Sequence, residues 1–308
     1  MNRCPLSYLP SGSEKYAPEG LKRLSRSLGA LNDFPYSAPE QRLEAAGRMG
    51  RMSIQGVQPK LSAVLNTRKQ TFEIVDINGR FIIKPQHEAY TQLPENEDLT
   101  MRMAALVGIE TPFHGLIWCK DGSLSYFIRR FDRLGRHKKL AVEDFAQLAG
   151  LSRETKYDYT IEKMIKLIDA YCTFPVLEKW KFFRLLLFCF LTGNEDMHLK
   201  NFSLITRNNR VEFSPAYDLL NTTLVLGRAG EEMALMLSGK RKEFRRRELI
   251  DYLGREKLGL TDAAIQEILQ TLSAAQPKWE DLIGMSFLAP RAQADYLKIL
   301  RDRLKRLS

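Results

Sequence analysis

The sequence is short of the residues that build metal cages and disulfide frameworks. Its 308 residues hold four cysteines and four histidines. The cysteines, at positions 4, 119, 172 and 189, never form a C-x-x-C pair, so neither a zinc site nor a disulfide scaffold is indicated. Cysteines scattered in this way suit a reducing, cytoplasmic compartment. A membrane span is also missing. The longest apolar run, residues 182–191, contains Arg184 and falls far short of the roughly 20 residues that cross a bilayer. The N-terminus lacks a charged-then-apolar signal pattern, and the chain has no internal repeat and no low-complexity tract. Acidic residues are outnumbered, 37 against 47 lysines and arginines. The resulting net charge of +10 points to an anionic partner such as a nucleotide, a nucleic acid or an acidic protein surface.

What is present falls into two unlike halves. A hydrophobic content of 44% is enough for a sizeable core in one large domain or two lobes. Residues 1–49 open irregularly, then show leucines at 21, 24, 28 and 31 in a helical rhythm and a further helix over 40–47. They read as an arm packed on the body. Residues 50–135 read as β-rich, with strands at 61–65, 72–75, 80–84, 111–117 and 124–131. Asn78-Gly79 reads as a hairpin turn and Asp121-Gly122 as a second turn. One helix over 94–105 ends at Gly108, and the acidic residues of its first turn suit the positive end of a helix dipole. Residues 136–308 read as helical, at 142–149, 160–171, 176–192, 245–253, 261–272, 279–284 and 290–307. The second of these carries Ile161, Met164, Ile165 and Ile168 on one face. A small hairpin, 203–206 with 211–214, turns at Asn208-Asn209. A β-rich half followed by a helical half predicts an α+β fold of two lobes with a cleft between them.

The stretch 194–201, NEDMHLKN, organises the chain. It follows the apolar run and sets Asp196 and Asn201 five residues apart with Lys200 between them. A phosphoryl-transfer loop needs this pattern: one carboxylate accepts the proton of an attacking hydroxyl, and an amide oxygen further on turns back to a metal. The kinase H-R-D triplet is absent, with Asn194-Glu195 standing before Asp196. Asp218 returns beyond the small hairpin. Two carboxylates and one asparagine make a hard oxygen site suited to Mg2+. His198 reads as a hydrogen-bonding or packing residue of the loop. In the β-rich half Lys84 ends the strand FIIK, from where a lysine reaches nucleotide phosphates. Standing alone it would be an ordinary surface lysine. Glu95 and Glu97 are its candidate partners, Glu97 lying deeper in the helix. Residues 53–60, SIQGVQPK, form the candidate phosphate loop. Gly56 is its single glycine, so it is neither a Walker A nor a G-x-G-x-x-G loop, yet its backbone amides with Lys60 could cover phosphates. The run 237–247, LSGKRKEFRRR, is the most basic segment and reads either as a solvated face or as a patch for phosphate or an acidic partner.

As an ordered set, RMSIQGVQPKLS, FIIKP, ENEDLTMRMAALVGI, FIRRFDR, NEDMHLKNFSL and SPAYDLLNTT resemble the HipA family of bacterial serine/threonine kinases. The opening arm, with Phe34-Pro35-Tyr36-Ser37, and the helical tail are similar to that family too. The resemblance implies a bilobal protein-kinase-like fold, ATP and Mg2+ as cofactors, and an autophosphorylating toxin of a type II toxin–antitoxin system. Its implied substrate is a serine of an aminoacyl-tRNA synthetase, of tryptophanyl or glutamyl type. Residue by residue, the resemblance implies Asp196 as the base with Lys200 beside it, and Asn201 and Asp218 as metal ligands. Lys84 is then the ATP lysine with Glu97, while Gly56, Val57 and Lys60 contact phosphates. Ser53 is the autophosphorylated serine, and Phe131 lies in the Arg130-Phe131-Asp132 segment after the hinge strand. Gln55 stands where some short-form members have a second serine, so Ser53 alone would carry the loop phosphate. Arg129 stands where full-length members carry a glutamate. Full-length members also have a further N-terminal subdomain, and in lacking its sequence the chain resembles the short form, HipT. That form implies a small HipS-like antitoxin supplying the missing part, and a HipB-like DNA-binding antitoxin that makes operator contact mainly indirect. Two other classes stay open: a non-catalytic kinase-fold binding module, against which the intact Asp196, Asn201 and Asp218 argue, and a small-molecule kinase.

Overall fold

The computed structural model describes residues 2–48, 58–135, 138–151, 155–227 and 230–307. Ser53, Gln55, Gly56 and Val57 lie outside the described residues. The chain divides into two compact units. The first comprises Met1–Leu99, Pro112–Lys138 and Met285–Leu288; the second comprises Thr100–Thr111, Lys139–Gly284 and Ala289–Ser308.

The first unit is built on a five-stranded antiparallel sheet. Its strands are β1 (Leu61–Asn66), β2 (Thr71–Ile74), β3 (Phe81–Lys84), β4 (His114–Trp118) and β5 (Leu124–Arg129), in the order β2-β1-β3-β5-β4. The Asn78-Gly79 turn does not close a hairpin, because β1 lies between β2 and β3. The hairpin is instead β1–β2. Asn66 Oδ1 accepts from the backbone N–H groups of Arg68 and Lys69, and Gln70 takes a φ of 53°. Such side-chain capping of a turn is weaker as a sequence signal than Asn-Gly, which explains the misplacement.

Two helices precede the sheet, α1 (Pro18–Leu24) and α2 (Ala38–Gly47), the latter opened by a Ser37–Glu40 capping box. The leucines at 21, 24, 28 and 31 are all buried, but the helix stops at Leu24 and Ser25 is extended. Irregular chain therefore delivers the last two to the same core. That core joins Cys4, Leu6 and Phe34 to Ala63, Ile83 and Phe127 of the sheet.

Helix α3 (Leu93–Leu106) contains the boundary between the units. Glu95, Asn96, Glu97 and Asp98 near its start are all buried. Burying a carboxylate without a partner is costly, so each acid needs one. The first unit supplies them: Gln86 donates to both oxygens of Glu95 at 2.8 and 2.9 Å, Lys84 donates to Glu97, and His114 Nδ1 lies 2.8 Å from Asp98 Oδ1. The acidic first turn thus serves a buried polar layer in addition to the helix dipole.

The second unit is arranged about α6 (Pro175–Thr192), in which every residue from 185 to 192 is buried. Helix α4 (Phe145–Leu148) precedes it, and α5 (Ile161–Tyr171) buries the stripe of Ile161, Met164, Ile165 and Ile168. A three-stranded antiparallel sheet, β6 (Val142–Asp144), β7 (Ser203–Arg207) and β8 (Arg210–Phe213), flanks these helices. The single helix expected over 142–149 is therefore a strand followed by a short helix. Asp144 forces the change: it is extended and caps α4, accepting from Gln147 N at 2.9 Å. Asn208 and Asn209, at φ 49° and 60°, make the β7–β8 turn. Helices α7 (Thr222–Leu226), α8 (Arg247–Lys257, with wide π-type turns), α9 (Asp262–Ala274), α10 (Gln276–Met285) and α11 (Pro290–Leu307) complete the unit. Helix α8 runs through Gly254 instead of ending before it. A Cβ there would stand 3.0 Å from Phe183 Cζ, so this glycine lets two elements approach closely. No helix of the described residues is long and apolar enough to cross a membrane.

The Glu95 carboxyl is pushed up from its ordinary 4.5 to about 7, chiefly by burial. An acid with a raised folded-state value favours folding while protonated. Its contribution is complete below about 4.5 and is lost as pH rises through about 7. Glu95→Gln removes this titration, so we expect equal stabilities near pH 4.5 and a variant more stable by on the order of 2–3 kcal/mol at pH 8. Urea denaturation of both proteins across that range measures the gap, and parallel curves would refute the assignment.

Candidate active site

The 194–201 loop begins where α6 must stop. Gly193 takes φ 72°, and a Cβ on it would stand 2.6 Å from Asn221 Oδ1 and 3.0 Å from Thr223 Oγ1. Its carbonyl accepts from Thr222 Oγ1 and Thr223 N, at 3.2 and 3.0 Å. The next acid, Glu195, turns inward. Thr223 Oγ1 donates to it at 2.5 Å, and Arg303 of α11 lies 3.4 Å away while donating to Phe190 O at 2.8 Å. Burial pushes the Glu195 carboxyl up. Arg303 is only 5% exposed, so the tail helix contributes a buried cation directly behind the loop.

Asp196 therefore follows a residue that faces the interior. Its carbonyl accepts from His198 N at 2.8 Å and from Asn201 Nδ2 at 2.9 Å. That second bond commits the amide nitrogen of Asn201 and leaves its Oδ1 as an acceptor. The loop closes in one 3-10 turn, Leu199–Asn201. His198 caps it: Nδ1 accepts from Lys200 N at 3.3 Å, and Nε2 lies 2.7 Å from Lys156 Nζ. Both ring nitrogens are therefore engaged in hydrogen bonding. Lys200 is about one-third exposed and points to Asp144 at 3.4 Å, while its carbonyl accepts from Tyr217 Oη at 2.9 Å. Asp218 has a φ of 60°, in the left-handed region. A non-glycine residue there stores strain, a condition common at functional positions. The Asp196 carboxylate has a partner that sequence reasoning missed: Tyr157 Oη donates to Oδ1 at 2.5 Å.

The first unit holds the other group of candidates. Lys84 is 4% exposed, which excludes a surface role. Its Nζ lies 2.6 and 2.8 Å from the two oxygens of Glu97 and 5.6 Å from the centroid of the Tyr126 ring, the residue paired with it across β3–β5. Glu97, not Glu95, is the partner. Lys60 and Phe131 are half-buried at the edges of β1 and β5. Arg130 grips Asp132 through two bonds at 3.0 and 2.8 Å. Arg129 donates to Leu24 O at 3.1 Å and lies over the Phe113 and Phe81 rings, so it ties the N-terminal segment to the sheet.

Asn201 Oδ1 and the Asp218 carboxylate are hard oxygen donors. Among the described residues no group of three or more His, Cys, Asp and Glu side chains could hold a metal ion. Two protein oxygens fit Mg2+, which keeps several waters and takes further ligands from substrate phosphates.

Comparison with known proteins follows the same lines. The model of the HipA-like C-terminal domain matches residues 52–279. A Haemophilus influenzae protein named as a candidate kinase is 27% identical, over 100% of this chain and 98% of that protein. The serine/threonine-protein kinase toxin HipA of Shewanella oneidensis is 29% identical over 56% of this chain and 44% of its own length. The chain thus spans nearly all of the first relative and less than half of the second. The solved complex of Shewanella HipA with HipB and its operator DNA gives a TM-score of 0.69 at 22% identity, over 90% of this chain and 73% of that one. That likeness is one of fold: the chain has the α+β, HipA-like kinase architecture.

Gly193→Ala combines a left-handed backbone with a close approach, and is expected to destabilise the protein by on the order of 2 kcal/mol or more. Gly227→Ala shares the positive φ but meets open space, so it should cost only about 1 kcal/mol. Denaturant midpoints of the two variants measure the difference. Equal losses would show that the contact with Asn221 and Thr223 is immaterial.

Proposed function

The chain belongs to the HipA-like kinase family, and from that we propose that it is an ATP-dependent serine/threonine kinase acting as the toxin of a toxin–antitoxin system. The observation that supports this most directly is the 194–201 loop, in which Asn201 is locked to the backbone of Asp196. In this reading Lys84, steadied by Glu97, holds the nucleotide phosphates. The acceptor hydroxyl gives its proton to Asp196 as its oxygen bonds to the γ-phosphorus of ATP. The bond from that phosphorus to the β–γ bridging oxygen breaks, and ADP leaves. Asn201 and Asp218 would hold Mg2+, which when bound neutralises charge on the phosphates. Lys200 is proposed as a further catalytic residue of this loop.

The finer assignments are also proposals. The protein substrate is an aminoacyl-tRNA synthetase, of tryptophanyl or glutamyl type. A HipB-like DNA-binding antitoxin is the expected partner, by analogy with the Shewanella complex. A small HipS-like protein is a second proposed partner, and a cytoplasmic location suits such a system. Ser53 is the proposed autophosphorylation site, and Gly56, Val57 and Lys60 belong to the same phosphate loop. Phosphate on Ser53 would add about −1.5 to −2 charges and repel ATP.

Purified protein incubated with γ-labelled ATP, with and without a bacterial extract, tests the activity. Asp196→Asn should reduce transfer by about 10²–10⁴-fold, because an amide cannot take the hydroxyl proton. Near-normal turnover in a folded Asp196→Asn protein refutes the base. Intact-mass measurement of the wild type should show one added phosphate that is absent in both Ser53→Ala and Asp196→Asn. Phosphate persisting in Ser53→Ala would move the site elsewhere.

A further inference from the structure

We propose that Tyr157 is a positioning residue for the base: its hydroxyl fixes one oxygen of Asp196 so that the other, Oδ2, is presented to the acceptor. The inference rests on the reading of Asp196 as the base. Three observations carry it. The first is the bond itself, from Tyr157 Oη to Asp196 Oδ1 at 2.5 Å. The backbone bonds that hold the Asp196 carbonyl leave its side-chain torsions unset, and a carboxylate at the end of such a chain has several staggered rotamers available. A donor on one oxygen selects among them.

The second observation is that Tyr157 is itself held from several directions. Its ring meets His198 edge to face, with centroids 5.1 Å apart and planes at 85°. Lys156 Nζ lies 4.7 Å from the ring centroid and bonds to His198 Nε2. The backbone carbonyl of Tyr157 accepts from Arg241 Nη2 at 2.9 Å, and Arg241 lies 3.4 Å from Glu231. The ring packs on the histidine that caps the 3-10 turn, so Tyr157 and Asp196 are referenced to the same short loop. A residue there only to fill space would not need its backbone clamped by a guanidinium from the basic run.

The third is chemical. Burial, and then the neighbouring Asp196 carboxylate, push the Tyr157 phenol upward, so it stays protonated and can only donate to a carboxylate. It cannot compete with Asp196 for the acceptor's proton. Part of the 237–247 run gains a specific role as well, because Arg241 anchors the residue that aims the base.

The test uses the full chain and reads ADP release from ATP, with kcat and the KM for ATP determined separately. Tyr157→Phe keeps the ring and its packing and removes only the donor. Misaiming a reacting group by about 1 Å costs on the order of 10²-fold, so we expect kcat to fall by about 10–100-fold with the KM for ATP unchanged. Adding Tyr157→Phe to Asp196→Asn should cause no further loss, because the hydroxyl acts only through the carboxylate. Arg241→Met, which leaves both side chains in place, should lower kcat in the same direction by a smaller factor. A wild-type kcat in folded Tyr157→Phe, beside an inactive Asp196→Asn, overturns the inference and leaves the base standing. Normal turnover in Asp196→Asn overturns the base instead. A rise in the KM for ATP equal to the loss in kcat/KM would place Tyr157 in nucleotide binding and also overturn the inference.

Discussion

A helix whose last two turns are wholly buried must have its final carbonyls satisfied by protein, and that constraint shapes the second unit. Water cannot reach the C-terminal turn of α6, so its carbonyls need internal donors. Thr192 Oγ1 bonds back to Phe188 O, Arg303 reaches Phe190 O, and the Thr222–Thr223 pair converges on Gly193 O. The last two sets of donors sit on α7 and α11, far apart in sequence. Once they are in place the chain has one exit, through a left-handed glycine, and the following loop inherits a defined direction. The backbone that leads into the candidate base is thus set by groups on two other helices.

The first unit solves a related problem with charge. Helix α3 presents Glu95, Glu97 and Asp98 to the interior, each with a different partner. Glu97 faces a lysine and forms a buried ion pair. Such pairs add little net stability, but removing one member leaves an isolated charge and costs about 3–5 kcal/mol. Lys84 is therefore held in one place whatever its contribution to folding. Glu95 is bonded by the neutral amide of Gln86, and burial pushes its carboxyl up because that amide offsets only part of the lost hydration. Neighbouring acids on one helix thus differ in partner because of what the first unit places opposite them.

The basic run shows how far composition can mislead. Lys240 pairs with Glu248 at 2.9 Å, Arg241 is drawn to Tyr157 O and Glu231, and Arg246 donates to Leu307 O. Several of its cations knit the unit together, so the excess of positive charge in the sequence overstates what is available to a partner.

Local pattern was enough for the α+β composition, the amphipathic stripe of α5, the buried run of α6, the Asn208-Asn209 turn and the order of the kinase-like motifs. Each is written in neighbouring residues, through period, turn chemistry or spacing. Pattern also narrowed the lysine's partner to Glu95 or Glu97. It misplaced the Asn78-Gly79 hairpin and merged β6 with α4, because strand order and a capping aspartate depend on what lies across the sheet. Tyr157, His114 and Arg303 carried no local signal at all. Their importance comes from meeting Asp196, Asp98 and Phe190, and such meetings depend on the three-dimensional path of the chain. The sequence alone determined which chemical groups this protein has and where along the chain they recur. The tertiary structure decided which of them are buried, and therefore which had to find a partner, because the cost of an unsatisfied charge or dipole arises only when water is removed.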